Sequence, residues 1–205
     1  MALPPAAPDR QPRHQRRMEV QVFARPDGLW EVDALLADTK SRDLQLPSGL
    51  RPAGTPVHEM WLRLVIDTHM DILEAGSESR WMPYAGICDV HGQAGGAEPG
   101  DAYSRLVGLN LRQGFRQALR ERLGGAQGCT HLTELAQVLP TAVIQAFAGE
   151  VIDVTEGTPA TGPGPDQPPF QIDRCHALKR SGEVVRLHYP RWFRPEPPHN
   201  PGATA

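Results

Sequence analysis

The sequence is almost without lysine: Lys40 and Lys179 are the only two among its 21 basic residues, the rest being Arg. The 24 acidic residues leave a formal net charge of -3. That balance argues against a general nucleic-acid binder, which needs a surplus of positive charge to meet phosphates. No apolar run approaches the roughly 20 residues of a membrane-spanning helix, so no membrane association is expected. The opening Met1-Ala2-Leu3-Pro4-Pro5 lacks the basic stretch and apolar core of a secretory signal. Cysteine is sparse too, with three residues far apart in the chain. An odd, scattered set suits thiols kept free or metal-bound in a reducing cytoplasm, not a disulfide framework.

The common motifs of catalysis are also missing. There is no G-x-x-x-x-G-K-[ST] to cradle phosphates and no G-x-G-x-x-G after a strand. His58-Glu59 is not completed to H-E-x-x-H, no Ser sits in G-x-S-x-G, and no C-x-x-C pair occurs.

What is present is a chain of 205 residues, 40 % hydrophobic, enough for one domain of ordinary size with tails. Its 21 Pro and 20 Gly make up about a fifth of the sequence, which predicts much loop and argues against a helical bundle. Residues 1–17, rich in Pro and Arg, read as a flexible arm. Met18 to Ala24 alternates as a strand, Arg25-Pro26-Asp27-Gly28 is a turn, and Leu29 to Leu36 returns as its partner. Pro/Gly-rich sequence fills Pro47 to Pro56. The clearest strand is His58 to Asp67, with Met60, Leu62, Leu64 and Ile66 on one face. Thr68-His69-Met70 predicts a turn and Asp71 to Ala75 the start of a fourth strand. A loop from Arg80 to Gly100 carries Cys88.

The pattern then turns helical. Tyr103 to Leu109 reads as a short helix and Phe115 to Leu123 as a second, stopped by Gly124-Gly125. Thr130 reads as the N-cap of a third, which Pro140 is expected to kink or divide. Residues 157–169 form a Gly/Pro-rich internal loop, Cys175-His176 follows it, and Glu183 to Tyr189 suggests a last strand. Residues 195–205 read as a disordered tail. Strands first and helices second predict a single α+β domain over 18–194, an antiparallel sheet of N-terminal strands packed against C-terminal helices.

The residues with chemistry to offer are scattered. His58 opens the best strand, Cys88 lies in a loop, and Cys129 and His131 flank a helix start in Gly128-Cys129-Thr130-His131. Cys175 and His176 come late. Ligands drawn from a strand start, a loop and a helix start can close around zinc, and a thiolate is favoured at a helix N-terminus. The bland alternatives are a small buried thiol at Cys88 and structural histidines. Three readings follow. One is a metal-binding protein. The second is an enzyme with Cys129 as nucleophile, for which His131, only two residues on, is expected to point elsewhere on the helix. The third is a binding module without chemistry that recruits an acidic ligand through Arg112, Arg116, Arg120 and Arg122; a protein partner is among the expectations.

Several segments resemble landmarks of one bacterial family. They include Asp27-Gly28-Leu29-Trp30, His58-Glu59-Met60-Trp61-Leu62-Arg63-Leu64, Gly128-Cys129-Thr130-His131-Leu132-Thr133-Glu134-Leu135, Asp173-Arg174-Cys175-His176-Ala177-Leu178 and Tyr189-Pro190-Arg191-Trp192. Over about residues 14–194 the chain resembles the domain-of-unknown-function 2889 family, which implies no particular activity. More distantly it resembles U-type iron–sulfur scaffold proteins. In that likeness Pro56 stands at the scaffold's first Cys, His58 at its Asp, Cys88 near its second Cys and Cys129 near its last. The resemblance implies an iron–sulfur cluster or zinc, with His131, Cys175 or His176 supplying the missing ligand.

Overall fold

The computed structural model describes residues 3–84, 88, 101–152 and 168–196. A four-stranded antiparallel sheet forms the N-terminal half, in the order β1-β2-β5-β6. β1 (His14–Ala24) and β2 (Trp30–Lys40) make a hairpin. Its turn is closed by Arg25 N–H on the Leu29 carbonyl at 2.9 Å, with Gly28 at φ 82°, a conformation that favours glycine. β1 begins at His14, so residues 14–17 belong to the sheet and not to the arm. β3 (Leu44–Leu46) and β4 (Gly49–Arg51) form a separate small hairpin within sequence read as Pro/Gly-rich loop. Three residues per strand are too few to show a period.

β5 (Pro56–Ile66) pairs with both β2 and β6 (Ile72–Trp81). The expected turn between β5 and β6 is built on Asp67, whose Oδ1 accepts the backbone N–H groups of His69 at 2.8 Å and Asp71 at 2.9 Å. Alternation sends Val32, Ala34 and Leu36 of β2, and Met60, Leu62, Leu64 and Ile66 of β5, into the core, each at most 1 % exposed.

The helices follow the sheet in the chain, the first of them a 3-10 turn, shorter than the helix expected over Tyr103 to Leu109. A 3-10 turn over Ala102–Leu106 is capped by Asp101, which also accepts the Ser77 hydroxyl of β6 at 2.8 Å. α1 (Phe115–Leu123) buries Phe115, Leu119 and Leu123. α2 (Thr130–Phe147) is not divided at Pro140. Leu139 and Val143, on either side of the proline, are fully buried, and this packing offsets the hydrogen bond that proline cannot make. The helix also starts one residue early: Thr130 is its first residue, and the carbonyl of Cys129 accepts the Thr133 N–H at 2.9 Å. Among the described residues no helix is long and apolar enough to cross a membrane.

The chain divides into two compact units, Met1–Ile144 and Gln145–Ala205. In the second, the strand expected over Glu183 to Tyr189 is a helix, α3 (Glu183–His188). The Val184-Val185 pair suggested β structure, but only Val185 is buried, and Arg186 pairs with Glu183 one helical turn back at 2.7 and 2.5 Å.

Candidate functional site

One row of the sheet places three charged or titratable side chains side by side. Arg16 of β1 lies opposite Asp38 of β2, and Asp38 lies opposite His58 of β5. All three share the face that carries Leu36 and Met60. Asp38, 3 % exposed, and Thr133 of α2 are the two buried polar residues among the described residues. A buried carboxylate needs partners, and Asp38 has them on every side. Arg16 grips it with two hydrogen bonds, Nε to Oδ1 at 2.8 Å and Nη2 to Oδ2 at 2.7 Å. His58 Nδ1 lies 3.1 Å from Oδ2, and His14 Nε2 lies 3.3 Å from Oδ1. The start of α2 closes the end of the row: His131 Nε2 stands 3.7 Å from Asp38 Oδ2. The His58 and His131 rings stack with centroids 3.9 Å apart and planes tilted by 30°. Arg16 also reaches Glu134 of α2, Nη1 to Oε2 at 2.5 Å.

The electrostatics follow from this crowding. Burial pushes the Asp38 carboxyl up, but hydrogen bonding and charge from Arg16, helped by His58 and His14, outweigh it and hold the acid below its usual value. His58 is pushed below the ordinary imidazole value, first by burial and then by His131, against a smaller pull from Asp38. His131 is lowered in the same direction, by burial and by the Arg16 charge. Both imidazoles are therefore neutral at pH 7, the form that offers a lone pair to a metal or accepts a proton.

Asp38, His58 and His131 each offer one ligand atom, all within 4.8 Å of one another. A tetrahedral ion with bonds of about 2.0–2.2 Å holds its ligand atoms roughly 3.3–3.5 Å apart. The two edges that meet at Asp38 Oδ2, 3.1 and 3.7 Å, bracket that spacing, and the edge between the two imidazoles is within 4.8 Å. Arg16 and His14 then act as outer partners of the carboxylate.

Cys129 sits at the rim, half-buried. Its Sγ is 3.9 Å from His131 Nδ1 and 3.6 Å from Met60 Sδ. The expectation that His131 points away from Cys129 is thus corrected: Cys129 precedes the helix, so the helical angle between residues two apart does not apply. Tyr103 fixes the backbone here. Its hydroxyl accepts the Cys129 N–H at 3.1 Å, donates to the Cys129 carbonyl at 2.8 Å and lies 2.9 Å from Thr133 Oγ1. Burial pushes the Tyr103 phenol up to about 12, so it stays protonated. Gly128 is required as well: a Cβ there would stand 2.7 Å from the Leu123 carbonyl oxygen.

Of the residues singled out from sequence, the structure gathers His58, Cys129 and His131. Cys88 is half-buried, its N–H on the Tyr84 carbonyl at 2.9 Å, and it stands outside the ligating trio. Cys175 is exposed, and His176 opens a 3-10 turn over His176–Leu178 of the second unit; neither joins the trio. Sequence reasoning missed Asp38, Arg16 and His14. The hairpin turn holds the signal for the first two: counting outward equally from Asp27 brings Arg16 opposite Asp38. The Arg set proposed for an acidic partner is partly tied down, Arg116 Nε on the Gln137 carbonyl at 3.2 Å and Arg122 Nη1 on the Arg105 carbonyl at 2.6 Å.

A family model described as a protein of unknown function (DUF2889) matches residues 14–145. The chain belongs to this family. The match begins at the first residue of β1 and takes in the whole row from His14 to Glu134. Cys175, His176 and the later landmarks fall beyond it. No curated protein and no solved structure matches the chain. The resemblance to iron–sulfur scaffold proteins gains no support from the comparisons; Pro56 offers no thiol, and among the described residues Cys88 lies outside the ligating group.

Proposed function

We propose that this DUF2889 protein binds a divalent transition ion, zinc being the best fit, through Asp38, His58 and His131. The observation that carries the reading is the mutual approach of the three ligand atoms within 4.8 Å beneath the start of α2. Two neutral imidazoles and a carboxylate are a donor set for a borderline ion, and three protein ligands leave a position for water or another molecule. The test uses the full chain stripped with chelator and titrated with Zn(II) by calorimetry, then with Co(II) by visible absorption. One equivalent is expected, with an intense tetrahedral Co(II) spectrum. His58→Ala and His131→Ala should each weaken binding at least tenfold. Binding well below a tenth of an equivalent, or variants that bind like the parent, would refute the site.

A second reading is supported by the order thiol, imidazole, carboxylate across Cys129, His131 and Asp38, at 3.9 and 3.7 Å. In it Cys129 is a nucleophile, His131 its base and Asp38 the group that orients the base. Selective alkylation of Cys129 by iodoacetamide, slowed in His131→Ala, is its signature.

A further inference from the structure

The two nitrogens of His131 face different company. Nε2 looks toward Asp38 and His58, whereas Nδ1 looks toward Cys129, whose sulfur in turn touches the thioether of Met60. We infer that Cys129, Met60 and His131 form a second, soft site that takes monovalent copper. Cys129 Sγ is the centre of the group, 3.6 Å from Met60 Sδ and 3.9 Å from His131 Nδ1. Bonds of about 2.3 Å to sulfur and 2.0 Å to nitrogen, at tetrahedral to trigonal angles, put two sulfurs roughly 3.8–4.0 Å apart and a sulfur and a nitrogen roughly 3.5–3.7 Å apart. Each observed distance lies within about 0.2 Å of its range, a shift that side-chain rotation supplies.

The donor chemistry selects the metal. Thiolate and thioether are soft ligands that favour Cu(I), while carboxylate does not, so the two sides of His131 sort ions by softness. β5 builds this division into the sequence: His58 and Met60, two residues apart, face the same way, one toward each side. Met60 is 1 % exposed, which keeps its thioether from water, and half-buried Cys129 is the face that meets solvent. On binding, the Cys129 thiol proton leaves to solvent and the sulfur donates its electron pair to copper; neutral His131 keeps its proton on Nε2, turned to Asp38, and donates from Nδ1, so it serves the copper side or the zinc side but not both at once. The oxidation state of the ion does not change. The inference goes beyond the zinc reading and does not require the Asp38 side to be filled.

The test is anaerobic competition of the full chain with bicinchoninate for Cu(I), joined to X-ray absorption at the copper edge and to Zn(II) titration. One equivalent of Cu(I) is expected, with two sulfur neighbours and one nitrogen. Met60→Leu, which keeps the core volume, should weaken Cu(I) at least tenfold and remove one sulfur neighbour while leaving Zn(II) affinity unchanged. Cys129→Ser should act in the same way. Asp38→Asn should do the reverse, weakening Zn(II) and sparing Cu(I). Cu(I) held as tightly by Met60→Leu as by the parent, or no competition with bicinchoninate at all, overturns the soft site whether or not zinc binds. Cu(I) binding with the expected sulfur neighbours in a protein that takes up no zinc would overturn the zinc reading and leave this one standing.

Discussion

Replacing Asp38 with Asn tests the central feature of the site, because it keeps the side chain's shape and removes its charge. The carboxylate accepts two hydrogen bonds from Arg16 at 2.8 and 2.7 Å and faces His58 at 3.1 Å. Hydrogen bonds to a charged group contribute about 1.5–3 kcal/mol each. Their sum overstates the loss. The Arg16 side chain is 32 % exposed and recovers water when released, and the Asn carbonyl still accepts one bond. The Asn amide nevertheless turns a donor toward Arg16 or His58, a mismatch in a place with little water. We expect a net loss of about 3 kcal/mol, between a surface pair and a fully buried one. For a chain of this size that lowers Tm by roughly 6–12 °C. The assay is calorimetric melting in chelator, so that metal loss does not contribute. Arg16→Gln should cost a similar amount, and the double variant less than the two added together. A drop under about 1 kcal/mol for Asp38→Asn, or strict additivity with Arg16→Gln, would refute the view that the carboxylate organises this row.

Acid should weaken the protein in two stages. His58 and His131 titrate below the ordinary imidazole value in the fold, so the unfolded chain takes up protons first as pH falls. Their contribution is complete above about pH 6.5 and is lost as pH drops through the folded values. Asp38, also lowered, adds a further loss below about pH 4. Melts in chelator between pH 8 and 3 check this, and a Tm unchanged from pH 7 to 5 would contradict it. Gly128→Ala should lower stability by about 1–3 kcal/mol, because its Cβ would meet the Leu123 carbonyl oxygen at 2.7 Å and the Tyr103 hydroxyl at 3.2 Å. A neutral outcome in a denaturant melt would show that the Gly128–Cys129 backbone gives way without cost.

The sheet was legible because its signals are local. Pro26-Asp27-Gly28 marks the first turn, and alternate burial of Met60, Leu62, Leu64 and Ile66 marks β5. α1 and α2 were legible from apolar residues at helical spacing. Pro140 leaves α2 undivided because an average penalty says nothing of the packing that opposes it, and Val184-Val185 misled because no neighbouring strand exists among the described residues to use their β preference. In the site, His58 and His131 stood out as residue types. Asp38 did not, since an acid at a strand's end is commonplace and only pairing on both sides reveals it. Arg16 and His14 were hidden by the Pro-rich sequence before them, which made an ordered strand end look like tail. Chemistry that depends on register is written in two strands at once and cannot be read from either alone.

The bond from Arg16 to Glu134 joins residues 118 apart in sequence. This separation bears on how the protein is made. A chain leaving the ribosome releases the strands in the order 1, 2, 5 and 6, each beside the partner it needs, so the sheet can pair while synthesis continues. The helix that supplies His131 and Glu134 emerges only after all four. Until then Val32, Leu36, Met60 and Leu64 present an uncovered apolar face to solvent, and Asp38 at its edge still lacks His131. At about 5–20 residues per second that exposure lasts several seconds, a window in which a chaperone, or another nascent copy, meets the sheet before its own helix does.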